Sequence, residues 1–497
     1  MDMDNRIKQF FTFLLIVYMA QLSMLMAVEP QYIANFPPGK RQNIPPRTQL
    51  STNSITSASG RLNEGTRTLL EEPEEINLIP EIKLSLKKAI SMVTDENPSI
   101  SEAEYEIKMA RRDKRAAGAA RMPVFSIQAM AKDTNVGDRW LEFGELGEAI
   151  RDINADSAAI GGIGMEVPIY LGGLLDSSER MAAHGEEIAI LNKKRVVQQT
   201  LFNVILSYLD VLVEKNAVKL EDSKYDQKMN EINTAREKAS ERFALKQQVL
   251  ALELNANEIR QDRLRHQNRL KIAQNRLLNE LGIKAGTPID ISPRVGISDI
   301  TISENIAIDT AVKNNFNLKI LLEQTALARE QINIAASDEK TKINFNWAYF
   351  HTYPFDNPDN QYDEWEAKLQ GKINIFDGGR ARHKRVKEIQ NLRKEEVRLK
   401  SATQEVELKV REAFFQYKEA KKLLKSLDDN IALAREMLRF VDERVSARVL
   451  LKDALLKAQV DLLETQQAKF AVHATLLKAR SAIFLLTGEL TMDKVAG

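Results

Sequence analysis

Pro168-Ile169-Tyr170-Leu171-Gly172-Gly173 and Asn374-Ile375-Phe376-Asp377-Gly378-Gly379 are two versions of one motif, 206 positions apart. Each ends an alternating stretch and opens a long run without proline. Upstream of the first, Ile163, Met165, Val167 and Ile169 alternate with Gly162, Gly164, Glu166 and Pro168. Upstream of the second, Trp365, Ala367, Leu369, Gly371, Ile373 and Ile375 alternate with Glu366, Lys368, Gln370, Lys372 and Asn374. A period of two places one residue set on each face of a strand. Each stretch has a predicted partner, weaker at Phe125, Ile127, Ala129 and Ala131, clearer at Ile343, Phe345, Trp347 and Tyr349. Ordinary amphipathic hairpins on a helical core share this pattern. Strands of about ten residues with one apolar face also match a membrane β-barrel wall. Trp347, Tyr349, Trp365 and Tyr170 would then be interfacial aromatics.

Downstream of each Gly-Gly pair, 174–283 and 380–488 read as very long helical stretches. Two apolar stripes run along the first, Val197, Leu201, Val204, Tyr208 and Val211, and Phe202, Ile205, Leu209 and Leu212. Two stripes mean packed neighbours on both sides. Single helices of that length are unusual in a globular domain, so each stretch is expected to fold back as a hairpin. Arms of about 65 residues would reach roughly 100 Å at ~1.5 Å per residue.

The repeat extends outward. Ala89-Ile90 aligns with Ala307-Ile308, Asn97 with Asn315, and Ile100 with Leu318; Val204 and Tyr208 align with Val410 and Phe414. Helices are predicted over 84–120 and 304–338. Gly282 and Gly488 stand where helix C-caps belong. The predicted organisation is a signal peptide at 1–27, a Pro/Ser-rich extension at 28–80, a first repeat at 81–283, a connector at 284–303, a second repeat at 304–489 and a tail at 490–497.

The N-terminal assignment rests on Arg6 and Lys8 ahead of an uncharged stretch, 9–28, with an apolar core at Phe10–Val17 and a small Ala27. A retained transmembrane anchor is the alternative. The extension holds Pro37-Pro38, Pro45-Pro46, Pro73 and Pro80 with a Ser/Thr/Asn run, which suits an extended chain. Seventy-one Lys+Arg balance 70 Asp+Glu among 497 residues, which argues against a broad nucleic-acid surface. No cysteine is present, which excludes disulfides, thiolate metal sites, a thiol nucleophile and a lipidated cysteine. His184, His266, His351, His383 and His473 have no metal-binding helical spacing, and no phosphate-loop GKS or GKT occurs. No enzymatic activity, metal or cofactor is expected.

Four strands cannot close a barrel. Open edges in lipid cost several kcal/mol per unpaired backbone group, and bacterial barrels need about eight strands or more. Three copies related by cyclic symmetry would supply twelve. The fold class expected is mainly α with membrane β. A duplicated unit of strand hairpin plus long helical hairpin would trimerise into a twelve-stranded β-barrel on a twelve-helix α-barrel.

Over about 84–489 the sequence resembles the TolC-type outer-membrane efflux and secretion channels, known as outer membrane efflux proteins. The resemblance rests on the twofold repeat, on Ala89-Ile90…Asn97-Pro98, and on the two Gly-Gly motifs in order. It implies a homotrimer in the cell outer membrane, a helical tunnel in the periplasm, and passive exit for a tripartite efflux pump or type I secretion system. Implied partners are outer-membrane lipid, a periplasmic adaptor (membrane fusion) protein and an inner-membrane ABC or RND-type transporter. It places the periplasmic aperture at Asp453 and Arg444. The adaptor-contacting tips fall at Ser446, Ala447, Arg448 and Lys452, and at Leu245 and Lys246. Strand-to-helix turns fall at Gly172, Gly173, Gly378 and Gly379. Ala447 stands where the family has a tip glycine, Arg444 at its tyrosine position, Val449 at its basic position and Leu456 at its second aspartate. Three Asp453 carboxylates would form a negative constriction. Read from spacing alone, Asp453 is a solvated charge on a helix face. A periplasmic coiled-coil scaffold or adaptor without a pore is the competing reading.

Overall fold

The computed structural model describes residues 82–133, 157–239, 244–292, 300–355, 358–447, 449 and 452–491. The stretches read as a signal peptide (1–27) and an extension (28–80) lie outside these. So do the tail beyond residue 491, the loop at 134–156 and Arg448.

The first repeat runs β1 (Ile82–Leu84), α1 (Leu86–Glu96), α2 (Pro98–Ala119), β2 (Val124–Asp133), β3 (Ser157–Leu171), α3 (Leu174–Ala239) and α4 (Ala244–Glu280). A short β4 (Ile289–Ile291) follows. The second repeat runs α5 (Glu304–Asn314), α6 (Phe316–Ala336), a 3-10 turn (Ser337–Glu339), β5 (Lys342–Pro354), β6 (Tyr362–Lys372), α7 (Arg380–Ser446) and α8 (Lys452–Leu486).

Both predicted opening helices are in fact broken in two. Asn97 and Asn315, each 5% exposed, sit at the breaks in non-helical backbone, at ψ 122° and 124°. Asn97 Oδ1 accepts from the Ser99 N–H at 2.9 Å, and Asn315 Oδ1 from those of Asn317 and Leu318 at 2.9 and 3.3 Å. Each caps the helix that follows. The amide nitrogens donate across the fold, Asn97 to the Glu280 carbonyl at 2.8 Å and Asn315 to that of Leu486 at 2.9 Å. Those carbonyls belong to the last residues of α4 and α8. A helix-terminal carbonyl lacks an intrahelical partner, and the asparagine supplies one. The chain then leaves α4 and α8 through Gly282 and Gly488, at φ +72° and +70°.

These contacts set α2 against the end of α4, and α6 against the end of α8. They correct the expected arm lengths. Outgoing α3 and α7 have 66 and 67 residues, but the returning arms have only 37 and 35. The rest of each long helix packs on α2 or α6 instead.

The core forms two clusters, and the first also takes in Ala474, Leu477 and Leu490 of the second half. Leu201, Val204, Tyr208 and Val211 of one stripe, and Ile205, Leu209 and Leu212 of the other, are buried with Leu84, Ile90, Val93, Leu277 and Leu281. Val410, Phe414 and Tyr417 are buried with Ala307, Ala311, Leu318 and Ile483. The one helix among the described residues apolar enough to cross a membrane by composition is α3, and these stripes are the reason. Strand β1 pairs in parallel with β4 beside this core, and the buried Tyr208 hydroxyl donates to the Ser292 carbonyl at 2.8 Å. Burial pushes the Tyr208 phenol up to about 12.

The four long strands form one antiparallel sheet in the order β2-β3-β5-β6. A register shift at Pro168/Tyr170 accommodates the proline, which cannot donate to the ladder. Strand β6 stops at Lys372, so Ile373 and Ile375 fall beyond it.

Candidate functional site

Register fixes which side chains share a face, because opposed residues in an antiparallel pair point the same way. One row reads Ile127, Ile163, Tyr349 and Trp365 across the sheet. The next reads Phe125, Met165, Trp347 and Ala367. Val167, Phe345 and Leu369 continue it. The opposite face carries Ser126, Gln128, Glu166, Asn344, Asn346, Glu366, Lys368 and Gln370. The two sets of alternating residues in the sequence are therefore two faces of one sheet. The apolar face is exposed, with Ile127 at 70% and Trp365 at 71%. Among the described residues no helix covers it, so it needs an apolar surrounding that these residues do not supply.

Strand β5 has 13 residues. At ~3.4 Å per residue it spans about 40 Å, and a tilt of about 40° leaves about 30 Å of height. That exceeds the apolar band of about 25 Å in a membrane barrel. On the apolar face, the row beyond Tyr349 and Trp365 holds His351 and Asp363, hydrogen-bonded at 2.8 Å. Aromatics followed by a paired polar row are what a membrane–water boundary selects.

At the other end, strands turn into helices. Gly172, Gly173, Gly378 and Gly379 all have positive φ, from +69° to +89°. At Gly172 the demand is also steric, since a Cβ would lie 2.8 Å from the Ser337 carbonyl. Asp377 holds the start of α7, accepting from the Gly379 and Ala381 N–H groups at 2.9 and 2.8 Å. Those hydrogen bonds hold its carboxyl below the usual range. Asp338, in the turn after α6, accepts from Lys342 at 2.9 Å and Lys384 at 2.7 Å, and the two ammoniums lower its pKa likewise.

The far tips of the hairpins lie between α3 and α4 and between α7 and α8. Arg444 is in the last turn of α7, and its guanidinium stacks over the Phe440 ring at 4.2 Å. Asp453 is half-buried in the first turn of α8. Each charge has the sign its helix end favours, which gives both a local structural role. Among the described residues no ion pair joins them. Ser446 ends α7, and Ala447 caps it at φ −77°, donating to the Glu443 carbonyl at 3.0 Å. That conformation requires no glycine, so alanine fits the turn. The Val449 N–H closes it on the Arg444 carbonyl at 2.9 Å. Lys452 opens α8, and Leu245 and Lys246 lie in the first turn of α4. The side chains of these three are outside the description. Leu433, Met437 and Phe440 form an exposed apolar stripe near this tip that sequence reading had missed. Their spacing of four and three residues was the available signal.

Residues 307–489 match the outer membrane efflux protein family model. The comparison with curated protein sequences gives no match. Among solved structures, the Campylobacter jejuni CmeC outer membrane channel aligns at TM-score 0.70 and 11% identity, over 82% of this chain and 88% of that one. The Neisseria gonorrhoeae MtrE outer membrane channel aligns at 0.66 and 14%, over 82% and 90%. CusC, whose structures address transmembrane channel formation, aligns at 0.65 and 14%, over 81% and 91%. At such identities the likeness establishes the fold. The resemblance to TolC-type channels thus holds in both the family match and the three-dimensional structure.

Proposed function

On the premise that residues 307–489 carry the outer membrane efflux protein pattern, we propose that this chain is a passive channel-tunnel of the outer membrane. Three copies would close a twelve-stranded barrel, with the long helices forming a tunnel through the periplasm. One observation carries the reading. The sheet has one apolar and one polar face, and the outer edges of β2 and β6 pair with no strand among the described residues. Lipid would cover the first face and water fill the second. A neighbouring β2 would satisfy the β6 edge, and so around the ring.

The reading extends to the tips. Three Asp453 carboxylates around one axis would form a constriction that favours cations. Arg444 would stand with Asp453 at the aperture, and Ser446, Ala447, Arg448 and Lys452, with Leu245 and Lys246, would meet a periplasmic adaptor. An inner-membrane ABC or RND-type transporter would supply the energy, as part of a tripartite pump or a type I secretion system. Single-channel recording of the detergent-purified protein tests this. Stable conductance steps are expected, with a cation preference reduced in Asp453→Ala. Unchanged preference in conducting Asp453→Ala would remove Asp453 from the aperture. Release of the protein by high salt without detergent would overturn the channel and favour a scaffold.

A further inference from the structure

We propose that Lys342 and Lys372 form an anion-attracting collar in the channel lumen, where the barrel meets the tunnel. The inference rests on the closed-barrel reading above. The two lysines are directly opposed, at the first position of β5 and the last of β6. Both lie on the polar face by register with Asn344, Asn346, Lys368 and Gln370. Directly opposed side chains sit about 5 Å apart at Cβ, and like charges there are destabilising. A sheet that keeps such a pair gives up stability for something else.

Local neutralisation is incomplete. Asp338 is the acidic group paired with Lys342, and it also binds the Lys384 ammonium. Lys372 is exposed and has no acidic partner among the described residues. Lys368, further into the sheet on the same face, is spent on Glu366 at 2.7 Å. A surplus of positive charge therefore remains at one level of the strand pair. Threefold symmetry would repeat it around a water-filled ring with low-dielectric walls, which focuses the field. Small anions, and anionic groups on a passing solute, are the chemistry such a ring takes. It would act opposite in sign to the proposed Asp453 constriction at the far end of the tunnel.

The absence of cysteine gives a direct test. Gln370→Cys places one thiol on the polar face, next to Lys372 along that face of β6. The purified trimer would be labelled with an anionic and with a cationic methanethiosulfonate reagent, with and without Lys342→Gln plus Lys372→Gln. Normalised to the same reagents on a small free thiol, the rate ratio should favour the anionic reagent by about threefold or more, falling toward one in the double glutamine variant. Arginine at both positions should preserve the ratio. Labelling whose ratio ignores the lysines would overturn the collar and leave the pore standing. If neither reagent reaches the thiol of Gln370→Cys while a Lys387→Cys control on exposed α7 labels, the polar face is not water-lined, and both the pore and the collar fall.

Discussion

Replacing Asn315 by alanine removes three hydrogen bonds from one buried point. The side chain caps α6 at the Asn317 and Leu318 amides and binds the carbonyl that ends α8. Loss of an asparagine cap costs about 0.5–2 kcal/mol. Leaving the Leu486 carbonyl without its partner costs about 1–3 kcal/mol more. The sum is about 1.5–5 kcal/mol, or roughly a 10- to 4,000-fold change in local opening at ~1.4 kcal/mol per decade. Hydrogen exchange of a peptide spanning 314–320 reads this directly. Exchange there should accelerate by at least about tenfold, with little change in the sheet. Asn315→Asp should fall between wild type and alanine, because it keeps the acceptor for both amides and loses the donor. The matching Asn97→Ala should accelerate exchange at the start of α2. An Asn315→Ala protein within about 0.5 kcal/mol of wild type would refute the bridge, given a cap loss alone of about that size or more. So would an aspartate variant no better than alanine.

Tyr208→Phe leaves the Ser292 carbonyl without its hydroxyl and should cost about 1–2 kcal/mol in a urea melt. The raised phenol pKa, about 12 against an ordinary 10, means that its stabilisation is complete below pH 10 and is lost as pH climbs toward 12. That alkaline loss should shrink in the phenylalanine variant; an identical alkaline profile would count against it. Gly172→Ala meets both a φ of +69° and a carbonyl 2.8 Å from the new Cβ, so about 1–3 kcal/mol of strain is expected. Lower trimer yield on native gels would show it, and normal yield would contradict it. Asp377 has a depressed pKa, so its hold on α7 is present above about pH 4 and fades as pH falls. Protection of residues 379–383, relative to the intrinsic exchange rate at each pH, should fall on acidification in wild type and already be low at neutral pH in Asp377→Ala.

Much of the sheet was legible because a strand's period of two writes its faces into the sequence. Trp347, Tyr349 and Trp365 fall on the apolar face, and Glu366 and Lys368 on the other. Hairpin folding of 174–283 and 380–488 was legible from length and the lack of proline. The helix breaks were not. At Asn97 the signal was present, since Pro98 disfavours helical backbone in the residue before it. At Asn315 the residue that follows is Phe316, and only alignment with Asn97 marks the site. The short returning arms escaped because α2 and α6 complete the packing of the long helices. Such end-to-end stacking is a tertiary event that leaves no periodic trace. The tip residues were located by resemblance. In the structure Arg444 and Asp453 have local partners, Phe440 and a helix end, that motif spacing does not reveal. Polar-face lysines looked like ordinary strand charges until register set Lys342 opposite Lys372.

The most direct test of the central claim is high-resolution imaging of the detergent-extracted, purified protein. A threefold ring with β6 of each protomer hydrogen-bonded to β2 of the next, twelve strands in all, is the predicted result. Monomers, or an assembly in which the β2 and β6 edges stay open, would contradict it.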